Sequence, residues 1–145
     1  MVVKSQHTKN AMINCLRNSA VGYGARERLG PELAVGWDTA AWWSVTGSGW
    51  TVVDGESVDC DGTDDVSISK ASFWLTTKSY RIAITVDVTA GGVTGPYDGT
   101  NVPSFGEITS SGGYSGDYSP ETTTMNLYSN SFNGSITKLS IKEIL

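Results

Sequence analysis

The sequence predicts an all-β domain, and three observations support this prediction. Several segments alternate apolar and polar residues with a period of two, as half-buried strands do. The chain has 17 Gly, 10% aromatic and only 17% charged residues, a composition typical of strands joined by tight turns. Turn dipeptides such as Asp54-Gly55 separate the segments. We therefore expect roughly seven to nine short strands in a sandwich or barrel, because the apolar face of each strand needs cover.

The clearest strand is Tyr80–Val88, in which Ile82, Ile84 and Val86 point one way and the polar residues between them point the other. Shorter or weaker alternating segments are also predicted as strands: Trp50–Val53, Val66–Ser69, Thr122–Tyr128 and Ser135–Ile144. In the last of these, Leu139 and Ile141 are expected to point inward.

Glycine-rich sequences are predicted to interrupt the strands. Asp54-Gly55 and Asp61-Gly62 are typical of short hairpins. Gly91-Gly92, Gly95-Pro96 and Asp98-Gly99 are expected to break up the stretch that follows the strand Tyr80–Val88. Ser110–Gly116 is expected to be a loop that carries Tyr114.

Residues 1–28 differ from the rest of the chain in charge and pattern. They carry five basic residues and one acid, a net charge of +4, whereas residues 29–145 carry a net charge of −9. A short helix from Asn10 to about Arg17 is predicted, with Met12 and Leu16 on one face. Residues 1–28 are therefore predicted to be an arm that docks on an acidic partner or, alternatively, a solvated tail. The docking residues would be Lys4, Lys9, Met12, Leu16, Arg17, Arg26 and Arg28.

The sequence argues against catalysis and against several classes of partner. The single histidine, His7, lies in the arm, and no pair of carboxylates has a spacing that indicates glycosidase chemistry. We expect no enzyme activity and no cofactor. The acidic body disfavours nucleic acid, and no apolar run approaches the roughly 20 residues that cross a bilayer. Cys15 and Cys60 are expected to be free thiols, as in a reducing cytoplasm.

One acidic cluster has a spacing that could suit a hard cation such as calcium. It comprises Asp59, Asp61, Asp64 and Asp65. Lys70 stands where a calcium-binding loop of the EF-hand type needs a glutamate, so a plain acidic turn is favoured and no metal is expected.

The five tryptophans are many for this length, and flat exposed rings are the usual platforms for sugars. Trp42 and Trp43 should face opposite ways on a strand, so one of them is expected to be exposed. Trp74 is out of phase with Phe73 and Leu75 and is likewise expected to be exposed. The candidates for glycan or subunit contacts are Trp43, Trp74, Tyr97, Tyr114 and Tyr118. The alternative is that these rings fill the core.

The order of several short motifs carries a family resemblance. The domain opens with Leu29-Gly30-Pro31-Glu32-Leu33, continues through Trp37–Trp43 and Gly49-Trp50-Thr51-Val52, and later reads Asp59-Cys60-Asp61-Gly62-Thr63. It then has Lys78-Ser79-Tyr80-Arg81-Ile82 and closes with Phe132–Ile144. This series resembles the carbohydrate-binding-module-like jelly-roll domains of bacteriophage virion proteins.

The resemblance implies a jelly roll of two face-to-face antiparallel sheets over residues 29–145, with the first and last strands adjacent. The resemblance also implies that the protein is assembled in the cytoplasm of a bacterial host and lies in the virion among other capsid or tail proteins. It further implies a homo-oligomer, with a trimer favoured. Thr137-Lys138 replaces the acidic residue that often holds a structural calcium in related domains.

Two functions follow as expectations. The first is a non-enzymatic structural protein of the virion, a capsid decoration or fibre subunit anchored by residues 1–28. The second is a tail-associated module that binds a host surface glycan.

Overall fold

The computed structural model describes residues 26–145. The predicted helix near residues 10–17, the docking residues Lys4 to Arg17, and Cys15 lie outside this range. Within it the fold is all-β, with eight strands and one 3-10 turn, Ala40–Trp42. The strands are β1 Leu29–Glu32, β2 Val45–Thr46, β3 Trp50–Val53, β4 Ser57–Asp61, β5 Val66–Lys70, β6 Tyr80–Tyr97, β7 Gly112–Tyr118 and β8 Met125–Ile144. No helix in the described range is long and apolar enough to cross a membrane.

Strand β8 organises an antiparallel sheet that nearly closes on itself. One of its edges pairs with β6 from Tyr80↔Glu143 to Tyr97↔Asn126. Its other edge pairs in turn with β5, β4 and β1. The outer neighbours are β7 beside β6, β3 beside β4 and β2 beside β5. The first and last strands are adjacent, as the resemblance implied, because Leu29 pairs with Ile144.

Strand β6 is twice as long as the sequence predicted. The expectation that the strand ends at Val88 and that Gly91-Gly92 breaks up the stretch after it is wrong, because the glycines bend the strand and pairing with β8 continues to Tyr97. Gly91 has a φ of +66°, and a Cβ at this position would overlap the carbonyl of Ser131. Glycine is therefore required where the two long strands bend together. The alternation of buried residues stops at the bend: the even positions from Tyr80 to Val86 are buried, whereas the neighbours Gly92 and Val93 are both buried after it.

The prediction that Ser110–Gly116 forms a loop is also wrong, since most of it lies in β7. Strand β7 pairs with β6 from Val86↔Gly112 to Tyr80↔Tyr118. Its glycines contribute little intrinsic strand propensity, so pairing with β6 determines the conformation. Gly116 lies under Ser104 and Phe105, where a side chain would not fit.

One core lies on the inner face of the sheet. The predicted inward residues Ile82, Ile84 and Val86 of β6 are buried, as are Leu139 and Ile141 of β8. The Asp54-Gly55 turn joins the hairpin β3–β4 as predicted. The expected second hairpin at Asp61-Gly62 is wrong, because β4 and β5 do not pair with each other and both pair with the same edge of β8.

Candidate functional site

Three of the five predicted surface aromatics are buried in the core. Trp43, Trp74 and Tyr118 are exposed by only 6%, 1% and 3%. The alternation argument fails because Trp42 ends a 3-10 turn and Trp74 lies between strands, so neither segment has the period of a strand. The indole of Trp43 donates to the carbonyl of Trp37 at 2.7 Å. These three rings therefore cannot offer a face to a sugar from the folded chain.

The other two predicted rings, Tyr97 and Tyr114, are half-buried. Tyr114 packs 6.3 Å from Phe105, and its hydroxyl donates to the carbonyl of Ser110 at 2.8 Å. Burial raises the pKa of Tyr97, and the nearby charge of Asp98 adds to the effect. Their role in glycan or subunit contacts stays a prediction.

Of the neighbours Trp42 and Trp43, it is Trp42 that is half-exposed. The sequence analysis had chosen Trp43 as the exposed ring. Lys70 Nζ lies 5.2 Å from its ring centroid, and Phe73 lies against it at 5.6 Å. Because a cation and a second ring already contact Trp42, it is not an open platform for a sugar.

The four clustered aspartates do not converge on one point. Asp61 accepts from the backbone and the hydroxyl of Thr63, which lowers its pKa. Asp59 accepts from Ser57, Asp64 from the backbone N–H of Ser131, and Asp65 from the hydroxyl of Tyr128. Within residues 26–145, no three His, Cys, Asp or Glu side chains are grouped so that they could hold a metal ion.

Tyr128 is a residue that the sequence analysis missed. Its hydrogen bond to Asp65, with smaller effects of burial and of the charges of Asp65 and Asp64, raises its pKa to about 12. The bond joins the outer face of β8 to the connection between β4 and β5. It holds a tyrosine hydroxyl and a carboxylate together at the surface.

A polar groove of about 410 Å³ lies over β3, β4 and β8. The register places Thr51, Asp59 and Ser135 in one row across the three strands, and Asp61 and Asn133 in the next row. Gly134 lies in the floor, where a Cβ would overlap the backbone of Asp87. The groove therefore presents carboxylates, an amide and hydroxyls, which can accept from and donate to a polyhydroxylated ligand.

A second groove, of about 400 Å³, lies over β6, β7 and β8. Small residues form its floor, with Ala83 between Ser115 and Ser140 in register. Lys138 lies in its wall, paired in register with Thr85. This groove has fewer polar groups than the first and a positive charge at one side.

Asp98, buried to 95%, joins two loops beside the core. One carboxylate oxygen accepts from the backbone N–H groups of Thr100 and Asn101, and the other from those of Glu121 and Thr122. Burial alone would raise its pKa, but the four N–H donors together outweigh it and hold the pKa far below its usual range. This arrangement is suited to holding the loops together, since it occupies both oxygens.

The arm meets the domain at the edge of β8. Glu27 Oε2 accepts from Arg81 at 2.5 Å, and the carbonyl of Arg28 accepts from the N–H of Leu145 at 2.8 Å. Glu32 then accepts from Ser140 and from the backbone of Ile141. Of the predicted docking residues, Arg26 and Arg28 lie in the described range and both are exposed.

No protein-family model matches this chain, and no match was found among the curated proteins or among the solved structures.

Proposed function

We propose that this protein is a non-enzymatic structural component of a bacteriophage virion, a capsid decoration or fibre subunit that attaches through its N-terminal arm. The observation that carries the proposal is the junction between two parts of opposite charge. Residues 1–28 have a net charge of +4 and the remainder −9. The described end of the arm lies along the edge of the sheet, at Arg28 and Leu145, and not in the core.

The packing of the domain also supports attachment by the arm. Its aromatic rings fill a core that the domain closes by itself, with Trp74, Tyr80 and Phe132 almost fully buried. Because this core is complete within one chain, we expect the β-domain to fold without a partner. Attachment to the particle is then the role of the arm. Assembly in a bacterial cytoplasm agrees with the buried, free thiol of Cys60.

We further propose that the sheet is a jelly-roll sandwich. Eight antiparallel strands, the adjacency of β1 and β8, and the common bend of β6 and β8 support this arrangement. A bent pair of long strands can contribute to both layers of such a sandwich.

Deletion of residues 1–25 tests the attachment. This boundary keeps Glu27 and Arg28, which contact the domain. The truncated protein is expected to remain folded and to lose most of its binding to particles that lack this chain, because three of the five basic docking residues, Lys4, Lys9 and Arg17, are gone together with Met12 and Leu16. Circular dichroism and co-sedimentation with such particles measure the two properties. Normal occupancy by the truncated protein would place the anchor in the β-domain.

Binding of a host surface glycan is the second candidate function, and the polar groove over β3, β4 and β8 favours it. Asp59, Asp61 and Asn133 offer hydrogen bonds to sugar hydroxyls there, in place of the aromatic platforms that are buried. The same truncated protein distinguishes the two functions. If the truncated protein, residues 26–145, is retained on host polysaccharide, the glycan-binding function is supported. If it loses binding to particles and is not retained on the polysaccharide, the structural function is supported.

A further inference from the structure

Strand β7 is the longest edge strand of the described sheet. It has seven residues, whereas the other edge strands β1, β2 and β3 have four, two and four. In the described part of the chain, β6 is the only strand that pairs with β7. The opposite side of β7 therefore has no strand partner in the described range, and Gly112, Gly113, Ser115 and Asp117 along it are exposed. An edge of this kind is a template for another strand.

Two common protections of an exposed edge, lysine and proline, are missing from β7. Natural proteins place lysines or prolines on such edges to prevent pairing, and β7 contains neither. Its one charged residue, Asp117, forms a salt bridge with Arg81 of the neighbouring strand β6. The charge of this edge is thus compensated from within the same chain.

The sequence of β7 suits antiparallel pairing with the β7 strand of a second copy. If two copies pair antiparallel about Ser115, each large or charged residue lies opposite a glycine. The pairs are Tyr118 with Gly112, Asp117 with Gly113, Tyr114 with Gly116, and Ser115 with its own copy. This register uses all seven residues, avoids placing two acids opposite each other, and sets the two small hydroxyls at the axis.

We propose that β7 pairs antiparallel with β7 of a second copy about a two-fold axis at Ser115, so that the sheets of two chains become continuous. Such an interface is isologous and closes after two subunits. It therefore differs from the trimer that the family resemblance implies. The proposal goes beyond the proposed function and holds whether or not the chain is carried by a virion.

Cross-linking through introduced cysteines tests the pairing on the full-length chain with Cys15→Ser, while the buried Cys60 is kept. In Ser115→Cys the two thiols would meet across the axis, at a cross-strand Cα separation of about 4.5–5.5 Å that suits a disulfide. Ala83→Cys is the matched control, because Ala83 is exposed and pairs in register with Ser115 one strand further in. Its two copies would be about 14 Å apart, too far for a disulfide.

With oxidised glutathione, Ser115→Cys is expected to form the covalent dimer many times faster than Ala83→Cys. Ser115→Lys, which places two like charges at the axis, is expected to weaken the dimer several-fold in sedimentation equilibrium, whereas Ala83→Lys leaves it unchanged. Equal cross-linking rates for the two cysteine variants would overturn the proposal. A wild-type trimer that Ser115→Lys does not affect would overturn it as well.

Discussion

Replacing Trp74 by alanine is expected to lower the free energy of unfolding by about 3–5 kcal/mol, the range for truncating a buried tryptophan. The ring is 1% exposed and lies 4.8, 4.9 and 5.1 Å from the rings of Phe73, Tyr80 and Tyr118. Alanine would leave a cavity among these rings that a closely packed core cannot fill. Urea denaturation followed by circular dichroism measures the change.

The neighbouring Leu75 provides the control, since its side chain is 60% exposed. Leu75→Ala is expected to change stability by no more than about 0.5 kcal/mol, as surface substitutions usually do. If Trp74→Ala were as stable as Leu75→Ala, then Trp74 would not be a core residue and its role as a surface platform would have to be reconsidered.

Replacing Asp98 by alanine is expected to cost about 2–4 kcal/mol, because four backbone N–H groups lose a charged acceptor at once. Thr100, Asn101, Glu121 and Thr122 supply these groups from two loops. Asp98→Asn retains one oxygen acceptor and is expected to lose less stability. Urea denaturation of both variants at neutral pH measures the two losses, and an alanine variant as stable as the wild type would contradict this role.

The lowered pKa of Asp98 also predicts how the stability of the protein depends on pH. Its pKa in the folded state lies below the unfolded value of about 3.9. The unfolded state therefore binds the proton first, so the contribution of Asp98 is present above about pH 4 and is lost as the pH falls below it. Asp98→Asn is expected to lose stability less steeply than the wild type over this acidic range. Parallel curves for the two proteins would show that other carboxylates account for the acid sensitivity.

The strand pattern could be predicted wherever local alternation and burial agree. Tyr80–Val88 was predicted from its period of two, and the even positions from Tyr80 to Val86 are indeed buried. The continuation past Gly91 could not be predicted, because a glycine pair indicates a break unless a partner strand is known to bend with it. Ser131, on the other side of this bend, has a φ of +52° and gives no signal in the sequence.

The candidate site was harder to predict, because exposure depends on partners distant in the chain. Trp74 is buried by Tyr80 and Tyr118, and the burial of Tyr118 depends on the pairing of β7, a segment whose glycines and serines resemble a loop. The polar groove joins Thr51, Asp59 and Asn133 from three strands. Asp98 did have a local signal, since Asp-Gly is typical of a turn whose carboxylate accepts from the following backbone. The second pair of backbone donors to Asp98, Glu121 and Thr122, lies more than twenty residues later and had no signal in the sequence.

A density map of the intact particle tests attachment by the arm most directly. The domain offers a direction that such a map can resolve, because β8 runs about 40 Å from its bend at Ser131 to its end at Ile144 beside β1. The proposed function predicts that the end with Leu29 and Ile144 faces the particle, with density from residues 1–28 entering the capsid or tail. The bend at Gly91 and Ser131 should then point away. A domain held by its bend or by the groove at Asp59, with the arm facing solvent, would contradict attachment by the arm.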